Sequence, residues 1–302
     1  FTGCKEAGHR MDNNDKLGRF RNRFYLKKGE IYLCGNSLGL ASKDSEEGML
    51  ELIKIWKEYG VKLWNIEKYF TYSRYIAELM APIVGADKDE IAMGTNTTCN
   101  IHQGISTLYK PTKDKYKILV DDINFSTDRY AVDGQVRLKA MYCNRRHFDK
   151  LPGLPGWFGN KIETQFYLLQ EFDHQQDAGG SLKILLEAGI ENIRKKSLHL
   201  TGYMFYLIEQ KLAPYGFTVG NIREDSKRGG HVCLEHDEGY RISIAMKARG
   251  LVPDFRDPNV IRVTPVAVYT SYKDVYDTIE IVLDIVKTES YKKIDTKRNL
   301  VT

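Results

Sequence analysis

The 302-residue sequence predicts an α/β fold, with a large, mainly parallel-sheet domain and a smaller α/β domain at the C-terminal end. Three observations carry that expectation. Short apolar runs and amphipathic segments succeed one another as strand, small-polar turn, helix and strand, the rhythm of a parallel sheet flanked by helices. The length suits one large domain plus a smaller one. A hydrophobic fraction of 42% and a charged fraction of 28% are those of an ordinary globular chain.

Residues 1–30 are polar and basic, with Phe20 and Phe24 as the anchors of a short docked helix. Ile31-Tyr32-Leu33-Cys34 reads as a strand, halted by a turn over Gly35-Asn36-Ser37-Leu38-Gly39. Met49, Leu52, Ile53 and Trp56 follow helical spacing, and that helix ends near Gly60. Tyr72, Tyr75, Ile76, Leu79, Met80 and Ile83 repeat the pattern, with Gly85 as the stop. Glu90-Ile91-Ala92-Met93 predicts a brief strand, Gly94 to Thr98 a turn, and Ile101, Ile105 and Leu108 a helix. Tyr116 to Val120 reads as a buried strand.

Further on, the apolar positions between 190 and 213 predict a long helix. A strand at His231–Leu234, a helix at Tyr240–Ala248 stopped by Gly250, and a strand at Val260–Val263 follow. Ser271 can cap the last helix while Asp274 reaches back. Val275, Ile279, Val282, Leu283 and Val286 give that helix its buried stripe.

Bulk chemistry excludes several function classes. A net charge of +5, from 45 basic and 40 acidic residues, is no nucleic-acid footprint, and no basic stripe appears. Cys4, Cys34, Cys99, Cys143 and Cys233 lack metal spacing and read as reduced thiols of a cytoplasmic protein. No apolar run approaches a membrane span, and no signal peptide is visible. The expectation is therefore no nucleic acid, no membrane and no metal.

Four places could carry chemistry. Gly94-Thr95-Asn96-Thr97-Thr98 follows a strand and opens a helix, where free N–H groups and two hydroxyls suit a phosphate; a plain helix cap explains the same residues. The loop Asn124-Phe125-Ser126-Thr127-Asp128-Arg129-Tyr130 offers a ring that can stack on an aromatic cofactor and a carboxylate that can pair with a protonated pyridine nitrogen. A structural loop with Phe125 in the core fits it equally. Open parallel sheets bind ligands beyond the carboxyl ends of their strands, where both loops would lie. Arg262, in the apolar run Val260-Ile261-Arg262-Val263, requires an internal carboxylate, an anionic substrate or a solvent-facing position. His102 and His231 read as structural.

Together these segments resemble the kynureninases. Phe20-Arg21-Asn22-Arg23-Phe24 leading to Ile31 through Gly39 is similar to the family's amino-terminal signature. Thr97-Thr98-Cys99-Asn100-Ile101-His102 resembles its phosphate loop, and Phe125 through Tyr130 its cofactor-ring loop. Gly156-Trp157-Phe158-Gly159, Gly229-Gly230-His231-Val232, Pro253-Asp254-Phe255-Arg256 and Pro258-Asn259-Val260-Ile261-Arg262 follow in the family's order. The resemblance implies the aspartate-aminotransferase-like fold (fold type I) of pyridoxal-phosphate enzymes and a homodimer with active sites at the subunit interface. The implied activity is hydrolysis of kynurenine in tryptophan catabolism and NAD biosynthesis.

It further implies residues 1–40 as an N-terminal segment on the small domain, 41–195 as the large cofactor-binding domain and 196–302 as the small one. Thr97 and Thr98 would bind the phosphate of pyridoxal 5'-phosphate, and Phe125 would stack on its ring. Ser126 and Thr127 would line it, Asp128 would position it, and Trp157 would close the site. Arg262 would hold the substrate carboxylate, with Asn36 and Ser37 beside it.

The sequence also departs from the family. The block that bears an Asp, a His and the Tyr-Lys pair, whose lysine attaches the cofactor, has no counterpart: Lys139 runs straight into Ala140. A shorter omission lies near Gly179-Gly180-Ser181. Lys139 is in the wrong context to replace that lysine. A parallel sheet without its central strands leaves crossovers with nothing to pack on, so the expectation is a longer working polypeptide that carries the block. The competing functions are a hydrolase, a catalytically inactive relative that binds a ligand or partner, and another enzyme of the same fold, such as an aminotransferase or cysteine desulfurase.

Overall fold

The computed structural model describes residues 3–91, 97–120, 128, 130–132 and 179–295. The chain divides into two units, residues 1–47 with 180–302, and residues 48–179.

In the first unit, β2 (Thr218–Val219), β3 (Val232–Glu235), β6 (Val260–Val263) and β5 (Asp254–Arg256) form an antiparallel sheet in that spatial order. Alternation sorts its side chains. Val232, Leu234, Ile261, Val263 and Phe255 are buried on one face. They pack with Leu200, Met204 and Leu207 of the helix Ile190–Leu207, Ile242 and Met246 of the helix Gly239–Ala248, and Val275, Ile279 and Val282 of the helix Tyr272–Lys287. Cys233, Arg262 and Asp254 fall opposite one another on the other face. Burying whole aliphatic side chains is worth about 1.5–3 kcal/mol each, so a one-residue slip of β6 would exchange that gain for a buried arginine.

The amino-terminal segment is sewn onto this sheet. β1 (Ile31–Tyr32) pairs in parallel with β4 (Leu251–Val252). Leu33 continues the pairing, donating to the Val252 carbonyl at 3.1 Å and accepting from the Thr264 amide at 2.7 Å. Phe20 and Phe24 are buried, as their spacing predicts, within a 3-10 turn and just after it. Phe24 meets Tyr269 edge to face, with ring centroids 5.0 Å apart.

The helix Tyr272–Lys287 starts with the capping box that Ser271 and Asp274 predict. Asp274 N donates to Ser271 Oγ at 3.0 Å, and Ser271 N donates to the Asp274 carboxylate at 2.9 Å. Asp12 adds a second carboxylate, accepting from Tyr272 N at 2.7 Å and Lys273 N at 3.0 Å. Two anions at one N-terminus oppose the positive end of the helix dipole.

Residues 48–179 depart from expectation. Their described elements are helical: the rest of Lys43–Tyr59, within which the division falls, then Glu67–Phe70, Tyr72–Val84 and Thr97–Leu108. Gly85 ends Tyr72–Val84 in the left-handed region at φ 72°, the conformation glycine adopts without penalty. Of the stripe Met49, Leu52, Ile53 and Trp56, only Leu52 is buried; it packs with Leu63 and Tyr69.

Tyr116–Val120, expected as a buried strand, is irregular, and Leu119 is 99% exposed. A β-branched, aromatic run makes a strand only when neighbouring strands satisfy its backbone groups, and no strand is found among the described residues of this unit. Glu90 closes a 3-10 turn, Lys88–Glu90, instead of opening a strand. The fold is α/β with parallel pairing, which among the described residues joins β1 to β4 and, by an isolated bridge, Cys34 to Thr264. The junction Lys139-Ala140 lies outside the described residues; at the second junction a helix spans 179–188. Among the described residues, no helix is long and apolar enough to cross a membrane.

One buried ion pair ties the amino-terminal segment to the helix Ile190–Leu207. Lys196 Nζ lies 2.6 Å from Asp15 Oδ2, and both side chains are almost inaccessible. Burial lowers the Lys196 pKa, and Asp15 opposes that shift. Removing one partner strands a charge at a cost of about 3–5 kcal/mol, whereas apolar replacement of both can be neutral. Asp15→Asn should therefore lower unfolding stability in urea by about that amount, and Asp15→Leu with Lys196→Met should restore most of it.

Candidate functional site

Arg262 sits at the middle of the open face of the small sheet, opposite Cys233 on β3 and Asp254 on β5. Its Nε donates to Asp254 Oδ2 at 2.8 Å, and Nη2 donates to the same oxygen. Arg256 approaches that oxygen too, with Nε at 3.4 Å. Of the alternatives open for this arginine, the structure therefore supplies the internal carboxylate. It does not close the guanidinium off: the Arg262 side chain stays 26% exposed against 7% for Asp254.

Asn36 comes to the residue that follows β6. The Thr264 hydroxyl, two residues beyond Arg262, donates to Asn36 Oδ1 at 2.8 Å. Cys34 forms an isolated parallel bridge with Thr264. The turn that carries Asn36 and Ser37 is closed by Ser37 N and Leu38 N donating to the Cys34 carbonyl. A Cβ on Gly35 would lie 2.4 Å from Val266 Cγ2 and 2.5 Å from the Tyr269 hydroxyl, so a larger residue would have to displace those side chains. Burial holds the Tyr269 phenol well above its usual pKa. Sequence reasoning leaves Asp254, Thr264 and Tyr269 unassigned, although each lies within ten residues of Arg262. Their pairing across strands gives no periodic signal.

His231 immediately precedes β3. Burial, reinforced by the Arg262 charge, lowers its pKa.

The remaining expected site residues belong to residues 48–179. Thr97 and Thr98 open the helix Thr97–Leu108, Thr97 exposed and Thr98 half-buried. Two hydroxyls at the N-terminus of a twelve-residue helix are donors that suit a phosphate. Asp128 is helical and half-buried. That chemistry fits the phosphate end of a pyridoxal-phosphate group. A covalent end needs a lysine, and Lys139 lies outside the described residues, as do Phe125, Ser126, Thr127 and Trp157. Lys68 and Lys88, nearer the amino end of this unit, are engaged by Glu51 and Glu78.

A groove of about 710 Å³ lies elsewhere, between the helices Lys5–Asn13 and Ile190–Leu207. Its innermost charges, Asp15 and Lys196, neutralise each other, so it offers a ligand less than the face around Arg262. Among the described residues, no cluster of His, Cys, Asp and Glu could hold a metal ion.

Residues 193–282 match the family model described as the kynureninase C-terminal domain. Over its whole length the chain is similar to the kynureninase of Bacillus anthracis, with 33% identity across 422 positions covering 100% of this chain and 99% of that protein. The kynureninase of Geobacillus thermodenitrificans is 32% identical over 417 positions, 98% of this chain and 97% of the relative. That of Shouchella clausii is 32% identical over 418 positions, 98% of each. An alignment of 422 positions against 302 residues leaves 120 positions without a residue of this chain.

Replacing Arg262 with Met removes the positive charge that depresses His231, so the imidazole pKa should rise toward its ordinary value, read by NMR titration. The sign for stability follows. A histidine with a depressed folded pKa contributes stability that is full above its unfolded pKa and is lost as pH falls through the folded one. The variant should therefore lose less stability than wild type below pH ~6.5.

Proposed function

We infer the function from one premise: the chain belongs to the kynureninase family. It is a hydrolase of L-kynurenine, adding water across the bond between the side-chain carbonyl carbon and the neighbouring methylene to release anthranilate and L-alanine. The reaction belongs to tryptophan catabolism. The observation that carries this reading is 33% identity along the entire chain; the bond of Asn36 to Thr264, two residues beyond Arg262, supports it.

In this reading Arg262 receives the substrate carboxylate, because a guanidinium edge forms charge-assisted, directional bonds to it. Asn36 and Ser37 flank the bound amino acid. Thr97 and Thr98 hold the phosphate of pyridoxal 5'-phosphate, Asp128 holds a proton at the pyridine nitrogen, and Phe125 stacks on the ring. Ser126 and Thr127 line the ring, and Trp157 closes the site beside the phosphate. When bound, the cofactor supplies an electron sink for the carbon that bears the amino group. The enzyme is cytoplasmic and works as a homodimer.

A second reading, a relative that binds ligand without turning it over, draws on one observation: the 120 alignment positions that have no residue here. We assign the lysine that attaches the cofactor to that block, between Lys139 and Ala140. One experiment separates the two. The longer polypeptide that carries this block, saturated with pyridoxal phosphate, is given L-kynurenine, and anthranilate fluorescence is followed; parallel samples are reduced with borohydride and weighed by mass spectrometry. Turnover together with a pyridoxyl adduct is expected for the hydrolase. Neither signal at saturating cofactor removes the hydrolase reading. In the active protein, Arg262→Met should lower kcat/KM by roughly thirty- to a hundredfold while cofactor absorbance is kept, with Arg262→Lys in between.

A further inference from the structure

The open face of the small sheet carries two arginines, Arg262 and Arg256, and two carboxylates, Asp254 and Glu235. The guanidinium groups of Arg262 and Arg256 both turn to one carboxylate, Asp254, and a carboxylate can neutralise only one of them. Asp254 lies directly across the β5–β6 register from Arg262, and its side chain is 7% exposed against 26% for Arg262. The buried partner is thus the anion, and the accessible one is the cation.

The bonds have a direction as well. Nε and Nη2 of Arg262 converge on the same oxygen, Oδ2. That contact occupies the Nε edge of the planar fork and fixes its plane, so the Nη1 side faces away from Asp254. Just beyond β6, Thr264 holds Asn36 by its amide oxygen.

We propose that Asp254 is a positioning residue for carboxylate recognition: it clamps the Nε edge of Arg262 so that the opposite edge is ready for the α-carboxylate of an amino-acid ligand. The proposal rests on the reading that Arg262 receives that carboxylate. Asp254 itself does not touch the ligand. A free arginine side chain has several rotors to order on binding, and each ordered rotor subtracts from affinity. A clamped one has already lost that freedom on folding, which is why preorganised sites bind more tightly. Asp254 also offsets the repulsion between two neighbouring guanidinium groups, so its effects on charge and on orientation must be separated.

The test compares L-kynurenine with its decarboxylated amine, which lacks only the carboxylate, by calorimetric titration of the full chain with pyridoxal phosphate present. Wild type is expected to prefer the acid by roughly thirty- to a hundredfold. Asp254→Asn should reduce that preference to about threefold or less, with little change in affinity for the amine. Asp254→Asn with Arg256→Gln keeps the local net charge of wild type but lacks the clamp, and it relieves the crowding of cations that could unfold the single variant. The double variant should stay as undiscriminating as the single one.

Recovery of the preference in the double variant overturns the proposal, since charge balance alone would then be the role of Asp254. Wild-type discrimination in Asp254→Asn overturns it as well, and leaves the reading of Arg262 standing. A wild type that binds acid and amine alike overturns both. Proton exchange at Arg262 Nε in the wild type needs no variant: slow exchange is expected from a bond to a buried carboxylate, and fast exchange overturns the clamp.

Discussion

Every side chain on β6 must take one of two faces, and the pairing of β6 between β3 and β5 settles which. Ile261 and Val263 go into the core with Val232, Leu234 and Phe255, where three helices cover them. Arg262 is thereby forced to the other side, next to Cys233 and Asp254. The register is held by apolar burial, yet its consequence is polar: it brings a guanidinium to a buried carboxylate without aligning either through its own energy. A one-residue slip would bury the arginine and expose its neighbours.

The amino-terminal segment depends on the same strand. Leu33 bridges Val252 and Thr264 through its backbone, and from there the Gly35–Gly39 turn emerges beside the end of β6. Gly35 lets the backbone approach Val266 and Tyr269 more closely than a Cβ could with those side chains in place. Asn36 then meets Thr264. Residues more than 200 positions apart in sequence are brought together because one strand pairs on its edges and at its end at the same time.

How far the sequence discloses this depends on the range of the forces involved. Helix ends are legible because caps are local: Ser271 with Asp274, and Gly85 in the left-handed region, are determined by residues three or four apart. The strand Val260–Val263 is legible from alternation. Tyr116–Val120 is not, because an apolar run becomes a strand only when partners are supplied from elsewhere in the chain. The role of Arg262 stands open in the sequence among a carboxylate partner, a ligand and solvent. Asp254, eight residues away, could not be chosen as that partner without the β5–β6 register. The expected cofactor residues Thr97, Thr98 and Asp128 are legible as chemistry, whereas their assembly rests on family likeness.

At the centre of the account is a guanidinium held from behind and open in front. A crystal structure of the protein soaked with L-kynurenine examines that claim most directly. The account predicts the ligand carboxylate within hydrogen-bond distance of the Nη1 side of Arg262, with the Nε contact to Asp254 retained and Asn36 alongside. A carboxylate bound elsewhere, or an Arg262 that leaves Asp254 to reach it, would contradict the account.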